Sequence, residues 1–294
     1  MMTDRTLAFL GIGLMGSRQA ARLLAAGFAV HAWNRTRAKA EALAARGATI
    51  ANTPGEAVAG ADIVITMLER GETVEEVLFQ RGAAQAMRAG TLVIDMSSVR
   101  PAQAQDHAAR LARLGIAHLD APVSGGTVGA DEGTLAIMVG GEAADFARAE
   151  AVFAAMGRAT HVGPHGSGQL AKLANQIIVG VTIGAIGEAL MLAAKGGADP
   201  AKVREALRGG YAESRVMELH GDRIVRRDFA ARARAAVHLK DMANALEAAE
   251  RLDLAAMPLS TVTRDLYKGL LDHVGDLDHS ALIMELERLN GIRR

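Results

Sequence analysis

The chain of 294 residues has no cysteine, which excludes disulfides, thiol catalysis and cysteine-ligated zinc sites. Aromatic residues make up only 3% of it, so Ala, Leu, Val, Ile and Met must supply the core. Its 33 basic residues equal its 33 acidic ones, which leaves no net field to hold nucleic acid or an acidic membrane. We therefore expect no nucleic-acid or membrane partner, and the composition is compatible with the reducing cytoplasm.

One long stretch has almost no charge. Between Leu173 and Ala194 the only formally charged residue is Glu188. The run is long enough to span a bilayer, but it has no flanking aromatic belt and also contains Asn175 and Gln176. Because polar groups are costly to insert into lipid, we favour a buried or inter-subunit helix over a transmembrane one.

Two patterns divide the chain. Up to residue 163, helical patterns alternate with apolar runs that predict strands at 7–10, 29–33, 48–50, 63–67, 91–95, 118–120 and 134–139. Beyond it only helices are predicted, at 168–195, 200–207, 213–226, 237–252, 258–272 and 279–290. We predict an α/β protein: a doubly wound Rossmann domain (1–164), then an all-helical domain (165–294) entered through a long helix.

The first strand runs into a glycine-rich turn, Gly11-Ile12-Gly13-Leu14-Met15-Gly16. The GxGxxG spacing has meaning here because it follows an apolar strand and opens an amphipathic helix. The first glycine permits the tight turn, the second lets the backbone approach a pyrophosphate, and the third lets helix and strand pack closely. The turn predicts a bound dinucleotide, with a ligand-free glycine turn as the alternative.

The second strand is followed by Asn34, Arg35 and Thr36, at the position where this fold distinguishes dinucleotides. An acidic residue there would bind a free ribose 2′-hydroxyl and repel a 2′-phosphate. An amide, a fixed cation and a hydroxyl suit the phosphate instead. We therefore predict NADP in preference to NAD, with NAD still possible; the alternative is that Arg35 is a solvated loop residue.

Another glycine pair follows the strand predicted at 118–120. Ser124, Gly125 and Gly126 would present a hydroxyl and backbone N–H groups that no side chain shields. Ligands gather beyond the carboxyl ends of strands in open α/β sheets, and such a nest suits a small carboxylate. An ordinary turn is the alternative.

Three polar residues mark the start of the apolar helix, namely Lys172, Asn175 and Gln176. Spacings of three and four place them on one helical face. A lysine held against apolar packing is costly unless it has a partner or a task. A functional lysine is one interpretation, and a long side chain that reaches solvent is the other.

Several segments occur together and in order: the glycine turn, ITML (65–68), IDMSS (94–98), DAPVSGG (120–126), GSGQLAKLANQ (166–176) and HLKDMANAL (238–246). Together they resemble the β-hydroxyacid dehydrogenase family, which includes 3-hydroxyisobutyrate dehydrogenase. The resemblance covers nearly the whole chain. It implies an NAD(P)-dependent oxidoreductase that acts on a small oxo or hydroxy acid.

The resemblance also implies roles for particular residues. Lys172 would be catalytic with Asn175 beside it, and Ser124, Gly125 and Gly126 would hold the substrate carboxylate. The cofactor would be lined by Met67, Leu68, Ser98 and Lys240, with Ser97 a weaker candidate. Ser98 stands where the family often has Thr, which keeps the hydroxyl, whereas Glu69 stands where a proline is usual and leaves that loop's shape open.

The chemistry gives Lys172 a task. Negative charge grows on a carbonyl oxygen as its carbon accepts hydride, and a protonated lysine can hydrogen-bond that oxygen and give it a proton. Neutral Lys172 would be the base in the oxidative direction. We expect the substrate between the two domains. Lys240 and the adjacent Asp241 would point about 100° apart on a helix, so we expect no ideal ion pair between them.

Three further expectations concern metal, assembly and rivals. His161 and His165 are separated by Gly163 and Pro164, which break any helix that would align them, so we predict no metal.

One domain cannot easily cover an apolar helix about 42 Å long, so we predict a homodimer or homotetramer. Related dehydrogenases with other small substrates are one rival interpretation, and a non-catalytic NADP-binding module is the other.

Overall fold

A computed structural model describes residues 5–292. These residues form two compact units, the first ending at Lys172 and the second beginning at Leu173. The long helix Ser167–Lys195 supplies residues to both units.

The described strands of the first unit form one sheet. They are β1 (Thr6–Leu10), β2 (Ala29–Trp33), β3 (Thr49–Ile50), β4 (Ile63–Thr66), β5 (Leu92–Asp95), β6 (Ala117–Asp120), β7 (Val123–Ser124), β8 (Leu135–Gly141) and β9 (Gly157–Gly163). Their order is β3-β2-β1-β4-β5-β6-β8-β7, with β9 also paired to β8. The first six are parallel, in the order of a dinucleotide-binding sheet.

Eight helices connect these strands. They are α1 (Leu14–Ala25), α2 (Arg37–Glu41), α3 (Pro54–Val58), α4 (Gly71–Glu75), α5 (Ala83–Ala86), α6 (Pro101–Ala112), α7 (Gly126–Glu132) and α8 (Ala143–Met156). A π-helical turn, Glu76–Gln80, continues α4, and a short 3₁₀ turn, Ala44–Arg46, follows α2. The predicted doubly wound α/β architecture is confirmed.

The core of this unit follows from strand alternation. Leu7, Phe9, Ile65 and Ile94 point to one face of the sheet, where they pack against α1 and α8. Their neighbours Ala8, Leu10, Val64 and Val93 point to the other face, against α3 to α6. Both faces are covered, which is why these strands read as continuous apolar runs.

Two strands were not predicted. β7 has only two residues, too few to show any period, and it pairs antiparallel with β8. β9 alternates half-buried with exposed residues and has no buried face, so it lacks the apolar signal of a core strand. β8 also pairs antiparallel with β6, so the sheet is mixed at this edge.

The second unit is helical, as predicted. After α9 (Ser167–Lys195) come α10 (Pro200–Ala206), α11 (Asp222–Arg226), α12 (Ala235–Arg251), α13 (Pro258–His273) and α14 (Leu282–Leu289). A π-helical turn, Met217–Gly221, precedes α11, and a 3₁₀ turn, His279–Ala281, precedes α14. Asp199 begins α10 by accepting a hydrogen bond from the Ala201 N–H, with Pro200 in the first helical position.

Apolar residues on α9 pack inside the second unit on one side only. Ile183 joins Tyr267, Leu270 and Leu282 in one cluster, and Ile186 and Leu190 join a second. Among the described residues, α9 is the one helix apolar and long enough to cross a bilayer, yet only 33% of its most apolar window is buried. Ile178 and Leu192 on the same helix are 65% and 76% exposed.

Candidate functional site

The carboxyl ends of five neighbouring parallel strands lie along one edge of the sheet. Strand register aligns Leu10 with Trp33 and Thr66, and Asp95 with Thr66 and Asp120. Ligands of open parallel sheets bind beyond this edge. The predicted cofactor residues of the first unit follow these strand ends directly.

In the glycine turn, two glycines are required by close packing within the protein and one is not. Gly11 has a φ of 109°, and a side chain there would collide with the Met67 carbonyl oxygen. A side chain on Gly16 would collide with the Gly11 carbonyl oxygen. A Cβ on Gly13 would meet no atom within 4 Å, and Gly13 itself is exposed. Gly13 is therefore not required by packing within the protein, whereas a pyrophosphate needs bare backbone there.

Helix α1 begins directly after Gly13. Gly13 has no side chain to cap the helix, and the first turn has no acidic residue. The turn therefore leaves N–H groups and the positive end of the helix dipole for an anion. These residues fit a dinucleotide, whose reactive nicotinamide would supply hydride chemistry.

Asn34 and Arg35 occupy different environments after β2. The Asn34 side-chain oxygen accepts a hydrogen bond from the Ile12 N–H at 3.0 Å, and its Nδ2 donates to the Thr36 carbonyl oxygen at 2.9 Å. Both polar atoms of the Asn34 side chain are therefore used within the protein, where they stabilise the glycine turn. Arg35 and Thr36 are exposed, and no ion pair joins Arg35 to another residue in the range 5–292.

Met67, Leu68 and Ser97 form the next part of the edge. The Leu68 N–H donates to the Ser97 hydroxyl at 2.9 Å, and Ser97 is fully buried. The Ser97 side chain therefore holds two predicted cofactor-lining segments together from inside. Ser98, the next residue, is half-buried.

Two buried carboxyl groups stand side by side at the ends of β5 and β6. Burial raises the pKa of Asp95, and burial raises that of Asp120 to about 6. Asp95 Oδ1 accepts from the Thr66 hydroxyl at 2.7 Å and from the Ser97 N–H at 3.0 Å. Asp120 accepts from the N–H groups of Gly166 and Gln169 at 2.8 and 2.9 Å.

Sequence reasoning missed Asp95, Asp120 and Gln169. Gln169 is buried at the start of α9, and its side chain bonds both neighbours of Ser98. The available signal was an acidic residue at the end of each of two apolar strands, where an unpaired charge would be costly.

The Ser124–Gly126 segment has the backbone of a nest. Gly125 and Gly126 have φ values of 136° and 61° and are exposed, and Ser124 is half-buried. A Cβ on Gly126 would meet nothing within 4 Å. Helix α7 begins at Gly126, so unshielded N–H groups are concentrated here.

Lys172 and Asn175 lie one turn apart on α9, and both are half-buried. In the second unit, Asn175 Nδ2 donates to Gln176 Oε1 at 2.8 Å, and Gln176 Nε2 donates to Asp241 Oδ2 at 2.7 Å. Gln176 thus links α9 to α12, a role the sequence left open.

The expectation that Lys240 and Asp241 would not pair is wrong. Lys240 Nζ lies 3.2 Å from Asp241 Oδ1. Asp241 is buried while Lys240 is one-third exposed. The long lysine side chain bends back to its neighbour because a buried carboxylate needs a cation nearby.

The histidines are closer together than the sequence indicated. His220, Asp278 and His279 offer ligand atoms within 4.8 Å of one another, which the prediction of no metal did not foresee. Arg223 Nη1, however, lies 3.2 Å from both Asp278 carboxylate oxygens and 3.4 Å from His220 Nδ1. A guanidinium therefore already supplies the positive charge in this cluster.

The sheet order and the open glycine turn define a dinucleotide-binding domain. Residues 6–164 match the NAD binding domain of 6-phosphogluconate dehydrogenase, and residues 166–286 match the NAD-binding family of NADP-dependent 3-hydroxyisobutyrate dehydrogenase. The chain belongs to the 3-hydroxyisobutyrate dehydrogenase family of β-hydroxyacid dehydrogenases. It is accordingly an NAD(P)-dependent enzyme that acts on CH–OH groups.

Three relatives illustrate the range of this family. The 2-hydroxy-3-oxopropionate reductase of Escherichia coli is 42% identical over 96% of this chain and 97% of its own length. The NAD-dependent L-serine dehydrogenase of Pseudomonas aeruginosa is 34% identical, over 91% of this chain and 92% of its own. The structure of Mycobacterium tuberculosis 3-hydroxyisobutyrate dehydrogenase with L-serine is 34% identical, with a TM-score of 0.88 over 96% of this chain and 99% of that one.

Proposed function

We propose that the enzyme is an NADP(H)-dependent reductase that interconverts a small 3-oxo acid and a 3-hydroxy acid, with tartronate semialdehyde (2-hydroxy-3-oxopropionate) as its main substrate. The choice of substrate is supported by the 42% identity to the Escherichia coli reductase. 3-Hydroxyisobutyrate, glyoxylate, succinic semialdehyde and L-threonate are the alternatives within the same chemistry.

The observation that carries this proposal is the position of Lys172. It is half-buried in the second turn of α9, a helix that begins at the Asp120 carboxylate on the carboxyl edge of the sheet. In this proposal the Lys172 ammonium meets the carbonyl oxygen on which negative charge develops during reduction, and the start of α9 at the strand ends supports that role.

Each residue then has a task. Protonated Lys172 hydrogen-bonds the carbonyl oxygen and gives it a proton, and in the oxidative direction neutral Lys172 accepts one. Asn175, one turn further, orients the ammonium or the same oxygen. The N–H groups of Ser124, Gly125 and Gly126 hold the substrate carboxylate. Tartronate semialdehyde has a carboxylate for the Ser124–Gly126 segment and, two carbons away, an aldehyde oxygen for Lys172.

The cofactor is proposed to bind along the carboxyl ends of the parallel strands. The pyrophosphate lies over Gly11, Ile12, Gly13, Leu14, Met15 and Gly16, and Met67, Leu68 and Ser98 contact the rest of the cofactor. Lys240 remains a proposed cofactor contact that rests on the family resemblance alone. Arg35 and Thr36 take the 2′-phosphate, since Asn34 is engaged with Ile12. The preference for NADP is supported by an exposed cation and the lack of an acidic residue at positions 34–36.

A second candidate is NAD-dependent oxidation of L-serine. Two relatives favour it: the dehydrogenase of Pseudomonas aeruginosa and the mycobacterial enzyme solved with L-serine. Serine is a 3-hydroxy acid, so Lys172 would serve it as the base.

The assembly we propose is a homodimer or homotetramer in the cytoplasm, with residues 1–164 as the dinucleotide domain and 165–294 as the helical domain. The exposed apolar side of α9, with Ile178 and Leu192, supports association of subunits. Light scattering of the purified enzyme measures the subunit number, and a monomer at micromolar concentration contradicts this part.

A substrate panel tests the function. Oxidation of NADPH or NADH is followed with tartronate semialdehyde, succinic semialdehyde and glyoxylate, and reduction of NADP⁺ or NAD⁺ with glycerate, 3-hydroxyisobutyrate, L-threonate and L-serine. We expect the highest kcat/KM with tartronate semialdehyde and NADPH. A higher value for L-serine with NAD⁺ selects the second candidate. A chain that binds NADPH but is inert with all of them is a binding module.

A further inference from the structure

Gln169 connects the start of α9 to the loop after β5. Its Nε2 donates to the Ser97 carbonyl oxygen at 2.9 Å, and its Oε1 accepts from the Val99 N–H at 3.1 Å. The side chain is 1% exposed. The two hydrogen bonds bracket Ser98, so one amide fixes the backbone on both sides of it.

The backbone of the same helical turn is held independently. Asp120 accepts hydrogen bonds from the N–H groups of Gly166 and Gln169. A side chain on Gly168 would collide with the Asp120 carbonyl oxygen. The first turn of α9 therefore packs closely against the end of β6 and cannot shift along it. The backbone position of Gln169 is fixed as a result.

We propose that Gln169 is a positioning residue that sets the distance between the Ser98 segment and Lys172, which lies three residues further along α9. The inference rests on the proposed function, in which Ser98 contacts the cofactor and Lys172 contacts the reacting oxygen. Hydride and proton transfer require these two groups to be correctly spaced, and a small displacement is costly to turnover.

The chemistry of the loop explains why the residue is an amide. Ser97 presents an acceptor and Val99 a donor, and a glutamine side chain supplies one donor and one acceptor that match them. A carboxylate at this position has no donor for Ser97 and lies close to the ionisable Asp120. A methionine has similar length and neither function.

The main test is Gln169→Met, assayed with NADPH and the best semialdehyde of the panel. We expect kcat to fall by about 10- to 100-fold, more than the KM for NADPH changes. The kinetic isotope effect with NADPH deuterated at the transferred position rises, because hydride transfer becomes the slow step. An unchanged kcat and isotope effect would overturn the inference.

Gln105→Met is the matched control. Gln105 Nε2 donates to the His165 carbonyl oxygen at 3.3 Å, just before α9, so this variant also removes an amide-to-backbone bond. Neither of the two hydrogen bonds that bracket Ser98 involves Gln105. We expect wild-type kcat and isotope effect. An equal loss in both variants, with lowered melting temperatures, would show that Gln169 only stabilises the fold and would also overturn the inference.

Gln169→Glu gives an independent measurement. Protonation of the introduced carboxyl group restores a donor for Ser97, so the ratio of its kcat to that of the wild type rises as pH falls. Asp120 and Asp95, the acidic groups near this turn, titrate in both proteins and largely cancel in the ratio. A ratio independent of pH counts against the inference. A wild type inert with every substrate overturns the proposed function together with it, whereas an active wild type with unaffected Gln169 variants overturns the inference alone.

Discussion

The side-chain oxygen of Asn34 accepts a hydrogen bond from the Ile12 N–H at 3.0 Å. The end of β2 thereby holds the middle of the glycine turn in place, and the Asn34 amide is engaged on both sides. Two residues of the predicted 2′-phosphate site, Arg35 and Thr36, remain exposed to a ligand. Cofactor preference should therefore depend on Arg35 more than on Asn34.

Replacing Arg35 with Ala should raise the KM for NADPH and leave that for NADH nearly unchanged. Loss of a charge-assisted hydrogen bond to a phosphate corresponds to about 10- to 100-fold in affinity. Steady-state kinetics with both cofactors measures this. Arg37→Ala is the control, because Arg37 is also exposed but already pairs with Glu41 at 2.8 Å. Equal effects on both cofactors in the Arg35 variant would assign it to the loop's structure.

Gly13 should tolerate Ala in the protein but not in the complex. A Cβ there meets no protein atom within 4 Å, so the free energy of unfolding should change little. The same methyl group would lie against the pyrophosphate and weaken cofactor binding by about 1–3 kcal/mol, as overpacking does. Calorimetric titration with NADPH measures the affinity and thermal unfolding the stability. Unaltered NADPH affinity in the variant means that the turn does not hold the pyrophosphate.

Lys172→Ala should lower kcat by about 10²–10⁴-fold, the range for a positioned acid or base. The affinity for NADPH should stay near the wild-type value, because Lys172 acts on the substrate oxygen. Lys195→Ala is the control, since Lys195 ends the same helix and is exposed. A Lys172 variant that loses turnover and cofactor binding together, with a lowered melting temperature, would be misfolded and not specifically inactive.

Much of the fold could be predicted from the sequence because its strands are apolar on both faces. β2 has the predicted bounds, 29–33, and β1, β4, β5 and β6 differ by one residue at one end or the other. The strands β7 and β9 could not be predicted in this way. One is too short for a period, and the other is a half-exposed strand without an apolar face.

The site residues that could be predicted from the sequence are those in short contiguous motifs. Gly13 and Arg35 are examples, because the spacing of the neighbouring residues indicates what they bind. Gln169 could not be predicted, because its amide bonds Ser97, which lies 72 residues away in the sequence, and no local pattern indicates such a contact. The Lys240–Asp241 ion pair was missed for a different reason: helical geometry fixes the Cβ directions but not the path of a long flexible side chain.

His118 gives the protein a specific sensitivity to acid. It is fully buried in β6, and burial, with smaller contributions from the charges of His165 and His107, lowers its pKa from 6.5 to about 3. The folded state therefore favours the neutral ring. The stability that His118 contributes is fully present above pH 6.5 and is lost as pH falls towards 3. Asp120 opposes this, since its raised pKa favours the folded state on acidification from about 6.

Between pH 7.5 and pH 5.0 the His118 contribution should cost about 2 kcal/mol of unfolding free energy. Urea denaturation of the wild type and of His118→Leu, each at both pH values, isolates it, because Asp120 and the other groups titrate in both proteins. The loss on acidification should be about 2 kcal/mol smaller in the variant, whatever its stability at pH 7.5. Equal losses would mean that the His118 ring accepts a proton in the folded state, through a local opening of β6 that admits water.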